Sequence, residues 1–91
     1  MTGEPYALVI APAARRALTD MLPEPVAAAA WEFISGPLAA SPATVGTRLQ
    51  PPFADQWRAR RGEYRVRYEN DSDRHLVRIL DIAHRRDVYR P

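Results

Sequence analysis

The 91-residue chain has no cysteine, no lysine, only two histidines and no long apolar run. Each absence excludes something. Without cysteine there is no disulfide scaffold, no thiolate zinc site and no cysteine nucleophile. With His75 and His84 alone, a histidine-rich metal site lacks ligands, so neither a metal nor a cofactor is expected. The most apolar stretch, Val26 to Trp31, is far shorter than the about 20 apolar residues that cross a bilayer. The opening Met-Thr-Gly-Glu-Pro lacks the basic segment and apolar block of a secretory leader. The expectation is a cytoplasmic protein away from membranes. With 46% apolar and 26% charged residues the composition is globular, and the length suits a single domain over residues 1–91 with one modest core.

What is present is arginine. All thirteen basic residues are arginines, and ten of them fall in residues 57–91 beside six acids, giving +4 there and −2 for residues 1–56. A GC-rich codon bias accounts for arginine over lysine, and fits fifteen alanines and nine prolines, but not for the clustering. The guanidinium is a planar, permanently charged fork that fits phosphate bidentately, so this region suits a phosphodiester partner.

The chain reads as an α+β domain. Tyr6 to Ile10 is short, apolar and rich in strand formers, and it stops before Pro12, which suits a first helical turn. Ala14, Ala17, Leu18 and Met21 recur at helical spacing, predicting a helix from Pro12 to about Met21 with those residues on its core face. Pro25, with Glu24 beside it, opens a second helix whose face is Val26, Ala30, Phe33, Ile34 and Leu38; Gly36-Pro37 either ends or kinks it. Residues 41–55, with Ser41-Pro42, Gly46 and Pro51-Pro52, read as connecting chain without regular structure. Beyond them the period changes to two: Trp57-Arg58-Ala59-Arg60 and Tyr64-Arg65-Val66-Arg67-Tyr68-Glu69 alternate, and His75 to Ile82 is a mostly apolar, interior strand.

If Arg61-Gly62 is a two-residue turn, Arg60 faces Glu63, Ala59 faces Tyr64, Arg58 faces Arg65 and Trp57 faces Val66. That register sets Arg58 beside Arg65 with Arg60 and Arg67 as diagonal neighbours. Opposed like charges destabilise a sheet. Either the cluster is held for a polyanion that relieves the repulsion, or it is a solvated face fanning into water with Glu63 and Glu69 as partial neutralisers.

The segment Asp81-Ile82-Ala83-His84-Arg85-Arg86-Asp87-Val88-Tyr89-Arg90 places groups capable of chemistry directly after the interior strand. Phosphodiester cleavage needs a base for the attacking hydroxyl, cations on the phosphoryl oxygens and an acid for the leaving oxygen. When the nucleophile is RNA's own 2′-hydroxyl, no protein nucleophile is required. Arginine cannot be the base. Histidine is the residue type whose unperturbed pKa lies near neutrality, which makes His84 a candidate base, and Tyr89 serves as a donor, or as a base only after a large depression of its pKa. Taken singly, His84 also reads as a strand-end histidine on a backbone group, and Tyr89 as an aromatic at the sheet edge.

The order of parts, with the Arg-Arg-Gly-x-Tyr-Arg-x-x-Tyr block ending at Tyr68 and the His-Arg-x-Asp-x-Tyr-Arg block ending at Arg90, resembles the RelE/ParE toxin superfamily through nearly the whole chain, its RelE branch most closely. The resemblance implies a small, twisted, mostly antiparallel sheet with an N-terminal strand and a two-helix hairpin packed on one face, the active site lying on the other. It implies the toxin of a type II toxin–antitoxin system that cleaves mRNA on the ribosome, an endoribonuclease silenced by a cognate acidic antitoxin. By position, Arg65 matches the family's arginine after the Gly-x-Tyr turn, Arg58 and Arg60 match basic positions on the preceding strand, Arg85 matches the second catalytic arginine, and Tyr89 the C-terminal tyrosine. Arg67, Arg86 and Arg90 join Arg60 as RNA contacts. The tail is one residue shorter than in the RelE type member, so Arg85 and His84 compete for one role. Some relatives carry lysine at Arg58, where arginine cannot be a base; proton abstraction then shifts to His84 or Tyr89. A second reading is a ParE-like inhibitor that binds DNA gyrase without chemistry, and a third a basic nucleic-acid-binding module without toxicity.

Overall fold

The computed structural model describes residues 4–52 and 55–84. Strand β1 (Ala7–Ile10) runs into helix α1 (Pro12–Arg16), whose Pro12 needs no N–H partner in the first turn. The helix widens at once into a π turn, Ala17–Met21, closed by the Leu22 N–H on the Ala17 carbonyl. This wider turn carries Met21 away from the sheet, and its side chain is exposed rather than in the core. Helix α2 (Glu24–Phe33) starts with Pro25 and an acidic first turn, and a second π turn, Ile34–Leu38, contains Pro37. Proline has no N–H to give to an α-helical bond. The chain meets this by widening the turn, so Gly36-Pro37 does not end the helix, and Ile34 and Leu38 stay fully buried.

The segment expected to be irregular holds two short elements, α3 (Pro42–Val45) and the two-residue strand β2 (Thr47–Arg48). Strands β3 (Gln56–Arg61), β4 (Tyr64–Asp71) and β5 (Leu76–His84) complete the sheet, in the order β1-β5-β4-β3-β2. All neighbours are antiparallel except β1 and β5, which are parallel, with Ala7 beside Leu76 and Ile10 beside Ile79. As expected, β5 lies inside the sheet. The helices cover one face, where Ala14, Val26, Ala30, Phe33, Ile34 and Leu38 meet Ala59, Tyr64, Val66, Tyr68, Val77 and Ile79 in a single cluster.

The hairpin register differs from the expected one by two residues. Arg61 pairs with Tyr64, so the turn is Gly62-Glu63. Gly62 has φ +52° at the first turn position, the requirement of a primed turn with glycine first. An Arg61-Gly62 turn would have forced arginine into that conformation. Instead Arg61 ends β3 with its guanidinium 4.7 Å above the Phe33 ring, a contact with the helix layer. A two-residue shift keeps every side chain on its expected face. It changes the partners: Trp57 lies opposite Tyr68, not Val66, and the rings stack at 6.4 Å.

Candidate nucleic-acid interface

Alternation along β3 and β4 puts Ala59, Tyr64, Val66 and Tyr68 into the core and Arg58, Arg60, Arg65 and Arg67 on the face without helices. Arg58 is directly opposite Arg67, and Arg60 directly opposite Arg65. The expected register gave one opposed arginine pair; the structure has two, each unfavourable by about 0.2–1 kcal/mol. Little neutralises them. Among the described residues Arg58, Arg60 and Arg65 have no acidic partner, Glu69 is 3.3 Å from Arg78, and Glu63 lies toward His84. Arg67 donates through Nη1 to Gln56 Oε1 at 3.2 Å, which orients it without cancelling its charge.

A cleft of about 190 Å³ opens between these side chains, lined by Leu49, Arg58, Arg65, Arg67, Asp81 and Ala83. It has room for a phosphate group of a larger ligand, with arginines from two strands in its lining. The short strand β2 sets one wall: Thr47 pairs with Arg58, and the Leu49 N–H donates to the Gln56 carbonyl at 2.9 Å. Gly46 lets β2 approach, because a side chain there would collide with the Tyr68 hydroxyl and meet the Arg58 carbonyl at 2.9 Å.

His84 is not on this face. It is buried opposite Tyr64 on the helix side, with Nε2 3.7 Å from Glu63 Oε1. The cause is a bulge in β5: Arg67 pairs with Asp81 and Tyr68 with Ile79, so Leu80 is an extra residue. Before it the buried residues are Val77 and Ile79; after it they are Ile82 and His84. The bulge thus turns Asp81 and Ala83 toward the arginines and His84 away from them. It also explains why β5 reads as apolar at nearly every position. The described tyrosines near the sheet's centre, Tyr64 and Tyr68, face the helix layer. Burial pushes the Tyr68 phenol up to about 12, and it donates to the Pro42 carbonyl at 2.7 Å. Burial also raises Tyr64, against the opposing pull of Arg61, and its hydroxyl donates to Ala29 at 3.3 Å.

Arg85, Arg86, Tyr89 and Arg90 lie outside the described residues. Of the remaining expected site residues, Arg58, Arg60, Arg65 and Arg67 come together and His84 does not. Sequence reasoning missed Asp81, Leu49 and Gln56 as neighbours of the cluster. Only the bulge and the β2 pairing reveal them. Among the described residues, no group of three or more His, Asp or Glu side chains is placed to hold a metal, and no helix is long and apolar enough to cross a membrane.

The chain is similar to known proteins over almost its full length. The model of the family described as the ParE toxin of the type II toxin–antitoxin system parDE matches residues 8–89. Two toxins of Mycobacterium tuberculosis are close relatives over 86 residues: toxin RelE at 43% identity, covering 94% of this chain and 88% of the relative, and toxin RelG at 41%, covering 94% and 98%. The crystal structure of the toxin–antitoxin complex RelBE2 from Mycobacterium tuberculosis contains a chain that matches with a TM-score of 0.84 at 39% identity, covering 90% of this chain and all of that one. A sheet with helices on one face, an arginine-lined opposite face and these relatives together identify the chain as a member of the RelE/ParE superfamily of type II toxin–antitoxin toxins, in its RelE-like branch.

Proposed function

We propose that this toxin is an endoribonuclease that cleaves mRNA on the translating ribosome, in the cytoplasm, with RNA's own 2′-hydroxyl as the nucleophile. The observation that carries the reading is the pair of opposed arginine couples, Arg58 with Arg67 and Arg60 with Arg65, of which Arg58, Arg65 and Arg67 line one cleft. As the 2′-oxygen attacks, negative charge grows on the phosphoryl oxygens, and the clustered guanidiniums stabilise it. Arg65 and Arg58 line the cleft and act on the scissile phosphate, with Arg85 as the second catalytic arginine. Arg60, Arg67, Arg86 and Arg90 hold flanking phosphates, and Tyr89 supports the substrate. His84, turned to the helix side, serves the fold rather than the chemistry.

A cluster this repulsive also predicts an acidic antitoxin that covers or distorts the basic face, as electrostatic complementarity favours. The similar RelBE2 structure from Mycobacterium tuberculosis is a toxin–antitoxin complex. The test is induction of the chain in growing cells with mapping of mRNA 5′ ends. Wild type should produce new ends within translated regions, and Arg65→Ala with Arg85→Ala should abolish them. The family description names ParE toxins, which supports a second reading, inhibition of DNA gyrase by binding. Intact mRNA with gyrase-linked DNA breaks would decide for it.

A further inference from the structure

Among the described residues, one carboxylate lines the arginine cleft. Asp81 lies on β5 directly opposite Arg67 and shares the cleft with Arg58 and Arg65. Glu69, two residues beyond Arg67 on the same strand, is engaged with Arg78 at 3.3 Å. Asp81 has no hydrogen-bond or ion-pair partner among the described residues, although it lines the cleft with three arginines. A carboxylate this close to arginine usually closes onto it in a bidentate pair. Here its lone pairs stay available, and the β5 bulge is what aims it into the cleft.

An RNA phosphodiester held by Arg58, Arg65 and Arg67 would bring a hydroxyl donor of the adjoining ribose to Asp81. The donor next to the scissile phosphate in RNA is the 2′-hydroxyl. The other described groups fail as proton acceptors there: the arginines stay charged, the Tyr64 and Tyr68 phenols are raised and turned to the helix layer, and His84 is on the opposite face. We infer that Asp81 is the catalytic residue that accepts the 2′-hydroxyl proton in the cleavage proposed above, on which this inference rests. The carboxylate takes the proton, and the 2′-oxygen lone pair forms the new bond to phosphorus. The bond from phosphorus to the 5′-oxygen breaks, and its electron pair leaves with that oxygen, which is protonated by solvent water. The products are a 2′,3′-cyclic phosphate and a 5′-hydroxyl. Asp81 then returns its proton to solvent.

The test is single-turnover cleavage of mRNA bound to programmed ribosomes by the full-length wild type, Asp81→Asn and Asp81→Glu, with thermal unfolding of each. Asp81 is partly exposed and unpaired among the described residues, so both variants should fold, Asp81→Glu unfolding at the wild-type temperature and Asp81→Asn slightly below it because a negative charge has left the arginine cluster. Asp81→Asn should cut about 10²–10⁴-fold more slowly, with an mRNA KM unchanged or lower, because one negative charge has left a cationic cleft. Asp81→Glu should recover part of the rate. A merely structural role predicts the reverse, a raised KM and no rescue by glutamate, and would overturn the inference. Cleavage by Asp81→Asn at the wild-type rate would also overturn it while leaving the nuclease reading intact. Should wild type leave the mRNA uncut, the nuclease reading itself fails and takes Asp81's role with it. A 2′-deoxy substitution at the cleaved position should stop wild type completely; continued cutting refutes the proposed proton transfer.

Discussion

Replacing Arg60 by glutamine should make the protein more stable and a poorer binder of RNA. Arg60 stands directly opposite Arg65, and neither has an acidic partner among the described residues. Cβ atoms of opposed residues lie about 5 Å apart, and two unit charges at about that distance repel by roughly 0.8 kcal/mol in water. At about 0.15 M salt the Debye length is about 8 Å, which reduces this to roughly 0.4 kcal/mol. For a chain of 91 residues that gain corresponds to about 2–3 °C in Tm. It should vanish at about 1 M salt, where the Debye length is about 3 Å. On the binding side, one lost phosphate contact lowers the slope of log affinity against log salt by about 0.7 for a single strand. Thermal unfolding at both salt concentrations, with fluorescence anisotropy on a short single-stranded RNA across a salt series, measures both quantities. A lower Tm, a gain that persists in high salt, or an unchanged salt slope would refute the account of this face as a repulsive couple held for phosphate.

Gly46→Ala should destabilise by about 1–3 kcal/mol in urea unfolding, because its methyl group would strike the Tyr68 hydroxyl and press on the Arg58 carbonyl. Tyr68→Phe leaves the Pro42 carbonyl without its buried donor and should cost about 1–3 kcal/mol by the same measurement. Its pH dependence has a definite sign. The folded Tyr68 phenol is raised to about 12, above the unfolded value of about 10, so its contribution is fully present below about pH 10 and is lost as pH rises toward 12. Alkaline unfolding curves should therefore fall over that window in wild type and less steeply in Tyr68→Phe. His84→Gln should lower Tm, since His84 is buried on the helix side, while leaving the cleavage rate near wild type; a rate loss with unchanged Tm would show that His84 reaches the substrate.

The parts of this fold that sequence made legible are those where period and burial coincide. Tyr64, Val66 and Tyr68 alternate with Arg65 and Arg67 in a strand buried on one side only, so the faces could be assigned. The helix face of Val26, Ala30, Phe33, Ile34 and Leu38 is buried as its spacing predicts. What escaped has local causes. Arg61 looked like a turn residue because the apolar surface that attracts it, the Phe33 ring, lies on another element. The β5 bulge reverses the side-chain parity between Ile79 and Ile82, and no periodicity argument detects a single inserted residue. The site was accordingly half visible: its cations follow from alternation, but the exchange of His84 for Asp81 at the cleft does not. Strand β2 was hidden for a further reason, since two residues paired to β3 leave no period at all.

The parallel pairing of β1 with β5 also bears on how the protein folds. Ala7 finds Leu76 and Ile10 finds Ile79, joining opposite ends of the described chain, whereas β3 and β4 meet across a two-residue turn. Loop-closure entropy favours the local hairpin early and the distant pair late. Strand β1 should therefore dock after the hairpin has formed, so that Leu8→Ala accelerates unfolding and leaves the folding rate nearly unchanged. The arginine couples of β3 and β4 would then assemble before the sheet is complete, and the nascent molecule would carry its phosphate-binding pattern before it is fully folded.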